Sequence, residues 1–176
     1  MNSTRAFVTQ PTRASSGIRY LVTSIPSSES CAISLMIRLG SVYEPKSLRG
    51  GSHLIEHMVF KGTKRLPDSL SISRLFDSMG AQYNAYTDYN MTSYHVKVQK
   101  KFVGVALHIL GDMVANSLFR PKDIESEKKV VLEELRRERD DPASYVHELQ
   151  GTLTFKGNAL GKPIGGSETD VIGIKA

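Results

Sequence analysis

An internal disulfide is excluded, because the chain has one cysteine, Cys31. It sits in an apolar run and reads as a small core residue. No apolar stretch approaches the roughly 20 residues a membrane-spanning helix needs, so no membrane span is expected. Acids are missing before Glu29, while Arg5, Arg13 and Arg19 fall in that stretch among several Ser and Thr. This bias mildly resembles an organellar transit peptide. No long amphipathic stretch precedes the first expected strand near Gly17, however, and there is no apolar core of a secretory signal. Residues 1–16 therefore read as a short N-terminal segment, and a cytoplasmic location is expected, with a mitochondrial or other organellar one as the alternative. The net charge is +5, but Lys and Arg are interleaved with acids, so nucleic acid is not an expected partner. What is present is ordinary for a soluble domain: 176 residues, 40% apolar and 23% charged, enough for one sizeable core over residues 17–176.

The most informative stretch is Gly50-Gly51-Ser52-His53-Leu54-Ile55-Glu56-His57-Met58. On a helix at about 100° per residue, His57 falls about 40° from His53, and Glu56 about 60° to the other side. Leu54, Ile55, Met58 and Val59 occupy the opposite face. Histidines at i and i+4 can offer ring nitrogens to one metal ion, and a glutamate one turn away can take a proton from a nearby water. Two histidines at this spacing can also be an accident of a half-buried surface. His-x-x-Glu-His is sharper, because it inverts the zincin His-Glu-x-x-His. A catalytic zinc usually has three protein ligands, so one must come from elsewhere.

Along the chain, residues 18–22 read as a strand, and 32–39, nearly all apolar, as a second strand central in its sheet. Gly50-Gly51 leads into the metal helix, and Gly62 is a plausible cap beyond its end. Residues 69–79 read as an amphipathic packing helix stopped by Gly80. Strands 82–87 and 92–98 alternate around the turn at Asp88-Tyr89-Asn90. Thr92, Tyr94, Val96 and Val98 share one face, which leaves His95 on the other as an exposed strand histidine. Residues 102–117 form a helix in which His108 reads as a partly buried structural residue. Residues 143–155 form another, with His147 solvated. From Gly157 the chain is Gly-rich, and residues 171–176 end without a closing element.

The helix at 123–139, ended by Asp140-Asp141-Pro142, carries the remaining signal. With Glu127 at zero, Glu134 and Glu138 fall within about 20° of it, inside a face that includes Ile124, Val131 and Leu135. Glu133, Lys129, Arg136 and Arg137 lie on the far side. A carboxylate on a buried face is costly unless paired or bound to a metal. Glu134 is thus a better candidate than Glu133 for a third ligand, while Glu138, near the helix end, can reach water.

These residues resemble the pitrilysin-type (M16) zinc metallopeptidases. The resemblance rests on Gly40-Ser41 with Glu44, on Gly51 through Thr63, on Gly80 through Thr87, on Thr92-Ser93-Tyr94, and on Glu127 with Val131 through Leu135. It implies Zn2+ held by His53, His57 and a glutamate about 76 residues beyond the second histidine, which selects Glu134. It implies Glu56 as general base, Glu127 as a carboxylate orienting a ligand, and Asn84-Ala85-Tyr86-Thr87 as the sheet edge on which an extended peptide adds, with Asn84, Ala85 and Tyr86 binding it. Ser52 departs from the usual Ala. The implied fold is α+β, a mostly antiparallel sheet with helices packed on one side. The implied function is zinc-dependent endopeptidase acting on extended or unfolded peptides. Family members carry a second, similar domain, so a chain of this length is expected to be incomplete. A non-catalytic or partner-dependent subunit is the alternative.

Overall fold

The computed structural model describes residues 9–175. Residues 1–8 of the N-terminal segment, Arg5 among them, and Ala176 lie outside the described residues. Strands β1 (Thr12–Arg13) and β2 (Arg19–Tyr20) form a small antiparallel ribbon. Strand β3 (Ser30–Ile37) leads to helices α1 (Gly51–Val59) and α2 (Ser69–Ser78). Next comes the hairpin of β4 (Gln82–Thr87) and β5 (Thr92–Gln99). Helices α3 (Val103–Asn116), α4 (Pro121–Asp140), α5 (Pro142–Thr154) and α6 (Glu168–Gly173) complete the described chain.

The main sheet is antiparallel with strand order β3-β5-β4. Period-2 alternation gives it one apolar face. Tyr94, Val96 and Val98 of β5 lie in a core with Val59, Ile72, Phe76, Ala106, Ile109, Leu110 and Met113 from α1, α2 and α3. The other face carries Ala32, Ser34, Met36, Asn84, Tyr86, His95 and Lys97, without a helix over it among the described residues. The fold is thus α+β, with a mostly antiparallel sheet and helices on one side.

Helix α1 serves two cores. Val59 and Ile55 face the sheet, while Leu54 and Met58 pack on Val131 of α4 and on Val171 and Ile174 around α6. Burying each such side chain contributes about 1.5–3 kcal/mol. The polar residues of the motif, His53, Glu56 and His57, stay half-buried outside these two cores.

The local signals for the helix ends work as chemistry requires. Asp68 and Asp141 accept backbone N–H bonds from Ser71 and Ser144 at 2.7 and 3.0 Å, and Pro121 and Pro142 open α4 and α5. Gly50, the residue before α1, has no side chain to cap the helix. Glu44 supplies the cap instead, with its carboxylate accepting from Gly50 N at 2.9 Å and from Ser52 N at 2.6 Å. Gly50 is required for its backbone (φ +77°), and a Cβ there would lie 2.3 Å from the carbonyl of Gly165.

Several expectations need correction. Only Arg19–Tyr20 of the strand expected at 18–22 is paired, and it pairs with β1 rather than with the main sheet. Ile18, Leu21 and Val22 are exposed. A β-prone run forms a strand only where a partner edge is available. Strand β3 is not central: it pairs with β5 on one side only among the described residues, and Met36 is exposed. Within the Gly-rich C-terminal stretch, residues 168–173 form a short helix, α6, held by a reciprocal cap between Ser167 and Asp170. His95 is half-buried beside Tyr86, and His108 is exposed with Nδ1 2.8 Å from the Gly104 carbonyl. Cys31 is half-buried on the inner sheet face opposite Val98.

Candidate metal and active site

Helix α1 presents His53 and His57 toward α4, which presents Glu127 and Glu134, while Glu56 reaches Thr87 of β4. The structure brings His53, His57 and Glu134 together. Their donor atoms form a triangle: His53 Nε2 to His57 Nε2 is 3.3 Å, His57 Nε2 to Glu134 Oε2 is 3.3 Å, and His53 Nε2 to Glu134 Oε2 is 3.7 Å. Three ligands at zinc bond lengths in a tetrahedral arrangement stand about 3.3–3.6 Å apart. The set therefore fits one small divalent ion with a fourth position left over. Two imidazoles and one carboxylate also match the donor chemistry of zinc.

Glu127 and Glu134, two helical turns apart on α4, bracket the His57 ring. Glu134 faces Nε2, and Glu127 Oε2 lies 3.4 Å from Nδ1. A proton on Nδ1 shared with Glu127 leaves the Nε2 lone pair free for a metal. Glu127 is only 5% exposed, and the burial is compensated by Lys61, whose Nζ lies 2.5 Å from Glu127 Oε1. Glu133, by contrast, is exposed and pairs with Arg136 at 2.7 Å.

Glu56 lies beside the metal-fitting triad in the same cleft. Its Oε2 accepts a hydrogen bond from the Thr87 hydroxyl at 2.5 Å. The cleft is also lined by Ala85 and Tyr86 of β4, by Glu138 on α4, by His147 and Glu148 on α5, and by the loop at Pro163-Ile164-Gly165. Among the described residues, strand β4 is an edge strand, so Asn84, Ala85 and Tyr86 run along a free edge beside the cleft. The Ala85 N–H donates to the side-chain oxygen of Asn84 at 2.9 Å rather than to another strand.

Electrostatics divide the cleft. Burial holds the His53 pKa below its ordinary value of 6.5, and the neighbouring His57 adds to this, against the pull of Glu134, Glu56 and Glu44. Its Nδ1 is buried without a hydrogen-bond partner among the described residues. Burial, then the negative charges of Glu134 and Glu148, raise the Glu138 carboxyl. Tyr94 is pushed up by burial and by the charge of Glu56.

A depressed histidine pKa means that the unfolded chain binds the proton more tightly, so protons are taken up on unfolding and stability rises with pH. The metal-free protein is expected to be fully stabilised by His53 above pH 6.5 and to lose that contribution as the pH falls through the folded-state pKa. Urea midpoints of the parent and of His53→Gln, measured from pH 7.5 down to 5, check this: the parent should fall more steeply over that range, and equal slopes would contradict the assignment. Carboxylates such as Asp68 and Asp170, whose pKa values are lowered from 3.8, act only at lower pH.

Sequence reasoning missed four contributors. Glu44 caps α1, Lys61 pairs with Glu127, Thr87 holds Glu56, and His147, though exposed as expected, lines the cleft. A period in the sequence flags none of them. Each depends on which distant element arrives opposite.

The matching family model is that of Insulinase (Peptidase family M16), over residues 19–168. The chain is 38% identical over 152 residues to an uncharacterized zinc protease, YmxG, of Bacillus subtilis, covering 86% of this chain and 37% of that protein. It is 34% identical over 166 residues to the mitochondrial-processing peptidase subunit beta of Dictyostelium discoideum, covering 94% of this chain and 35% of that one. The periplasmic protease PqqL of Escherichia coli shares the fold at a TM-score of 0.85 and 24% identity, over 95% of this chain and 19% of that chain. The chain thus spans little more than a third of the length of these curated relatives. Among the described residues, no helix is long and apolar enough to cross a membrane. With the family model covering most of its length, the chain belongs to peptidase family M16, the insulinase family.

Proposed function

We propose that the chain is the zinc-binding catalytic part of a metalloendopeptidase that cleaves extended or unfolded peptides. The observation that carries this reading is the 3.3, 3.3 and 3.7 Å triangle of His53, His57 and Glu134 donors, with a further carboxylate, Glu56, in the same cleft and outside that triangle. His53, His57 and Glu134 hold Zn2+, and Glu127 orients His57 through Nδ1. Zinc, when bound, supplies a Lewis acid that polarises the scissile carbonyl. Glu56 takes the proton from the attacking water and returns it to the leaving amine.

Asn84, Ala85 and Tyr86 dock the substrate. A peptide adding antiparallel or parallel to the free edge of β4 pairs main chain to main chain, so recognition tolerates varied side chains. The Asn84 side chain gives up the Ala85 N–H to an incoming carbonyl. Such pairing needs an extended peptide, which is why unfolded segments are the proposed substrates.

A second, similar domain completes the cleft. This is supported by the length of the relatives, of which the chain spans little more than a third. The second reading follows from the same observation: the chain is a partner-dependent subunit that binds zinc and turns over only when the other domain is supplied.

The test is hydrolysis of a fluorescence-quenched unstructured peptide by the zinc-loaded protein, alone and with a second M16-type domain. Cleavage should stop with 1,10-phenanthroline and return with added zinc. Cleavage that ignores the chelator would overturn the metal reading. Absence of cleavage in both preparations would overturn the peptidase reading.

A further inference from the structure

Thr87 closes the free-edge strand β4, and its hydroxyl reaches across to α1. Oγ1 lies 2.5 Å from Glu56 Oε2 and 3.3 Å from the hydroxyl of its cross-strand neighbour Thr92. Thr92 is fully buried and donates its own proton to the Leu39 carbonyl at 2.9 Å. It therefore cannot donate to Thr87, and the single Thr87 proton goes to the nearer, charged acceptor. Among the described residues, no other side chain or backbone group hydrogen-bonds the Glu56 carboxylate. The buried Tyr94 hydroxyl has no hydrogen-bond partner among the described residues, Glu56 included.

Glu56 is a flexible side chain on a helix, and its usefulness as a proton acceptor depends on where its free oxygen sits. Thr87 removes that freedom. Its β-branched side chain is stiff about χ1, and β4 is paired to β5 along its length, so the hydroxyl is held by the sheet. We infer that Thr87 is a positioning residue for Glu56, tying the carboxylate to the end of strand β4 so that the proton acceptor and the peptide-docking edge share one frame. Oε2 is engaged by the hydroxyl, and Oε1 is left for the reacting water. The inference rests on Glu56 acting as base. It adds a reason for β4 to lie next to α1: a peptide in register on β4 is automatically in register with the base.

The test is a double-mutant cycle with Thr87→Val and Glu56→Ala in the metal-free protein, read as urea midpoints. Thr87→Val should lower the midpoint in the parent chain and leave it unchanged in the Glu56→Ala background. Equal shifts in both backgrounds would overturn the inference, since Thr87 would then serve only the sheet. If Thr87→Val does not fold, Thr87→Ala replaces it in the same cycle. In an active preparation, Thr87→Val should lower kcat about 10- to 100-fold, with KM and zinc content unchanged. Thr87→Ser should recover activity to within about threefold, because the hydroxyl is restored on a looser side chain. Coupling in the cycle with an unchanged kcat would overturn the positioning role. A parent chain that neither binds zinc nor cleaves peptide would instead sink the reading of the site, while the cycle would still report the Thr87–Glu56 link.

Discussion

Glu56→Gln is expected to abolish peptide hydrolysis while leaving zinc and fold in place. General acid–base catalysis contributes about 10²- to 10⁴-fold, so kcat should fall by that factor. The amide still accepts the Thr87 hydroxyl, which at 2.5 Å is the contact holding this side chain. Glu56 is not one of the three residues whose donors converge, so its replacement should not release the metal. Stability should change by no more than about 0.5 kcal/mol. Steady-state kinetics with elemental analysis on the same sample check this. Zinc loss in the variant would assign Glu56 to metal binding and remove it as the base.

Glu134→Gln is the second large effect. Removing an oriented outer carboxylate from a metal site costs roughly 10- to 100-fold in affinity, and a direct ligand should exceed that range. Zinc affinity, measured by competition with a chromogenic chelator, should therefore drop more than about 100-fold. Glu133→Gln, one residue away, is the control. Glu133 is exposed and paired with Arg136, so its replacement should leave affinity unchanged. Equal losses in both variants would mean that the charge of α4, and not a specific ligand, attracts the ion.

That contrast between Glu133 and Glu134 explains why so much of the site was legible in the sequence. A helix fixes the angular position of each residue. His53, Glu56 and His57 could therefore be placed on one strip, and Glu127 and Glu134 on one face, before any tertiary structure was known. The α+β layering was legible for the same reason, since Thr92, Tyr94, Val96 and Val98 alternate and Ile72, Phe76 and Met79 repeat at helical spacing. Contacts between separated elements were not. Nothing in the period of residues 41–49 says that Glu44 will fold back to cap α1, and nothing in β4 says that Thr87 will meet Glu56. Burial is not legible where a partner strand decides it. The apolar run in β3 suggested a central strand, and 18–22 suggested a full one, but pairing depends on which edges are free and not on composition. The short α6 was missed because its six residues are too few to show a period, although its capping pair Ser167 and Asp170 stood in the sequence.

The proposed function stands on one geometric claim, that His53, His57 and Glu134 bind a single zinc ion. The most direct test is zinc content by elemental analysis of the purified 176-residue chain after dialysis against metal-free buffer. About one zinc per chain is expected, the occupancy of a single three-ligand site. A chain that stays metal-free after refolding with zinc, while keeping its folded circular dichroism spectrum, would contradict it.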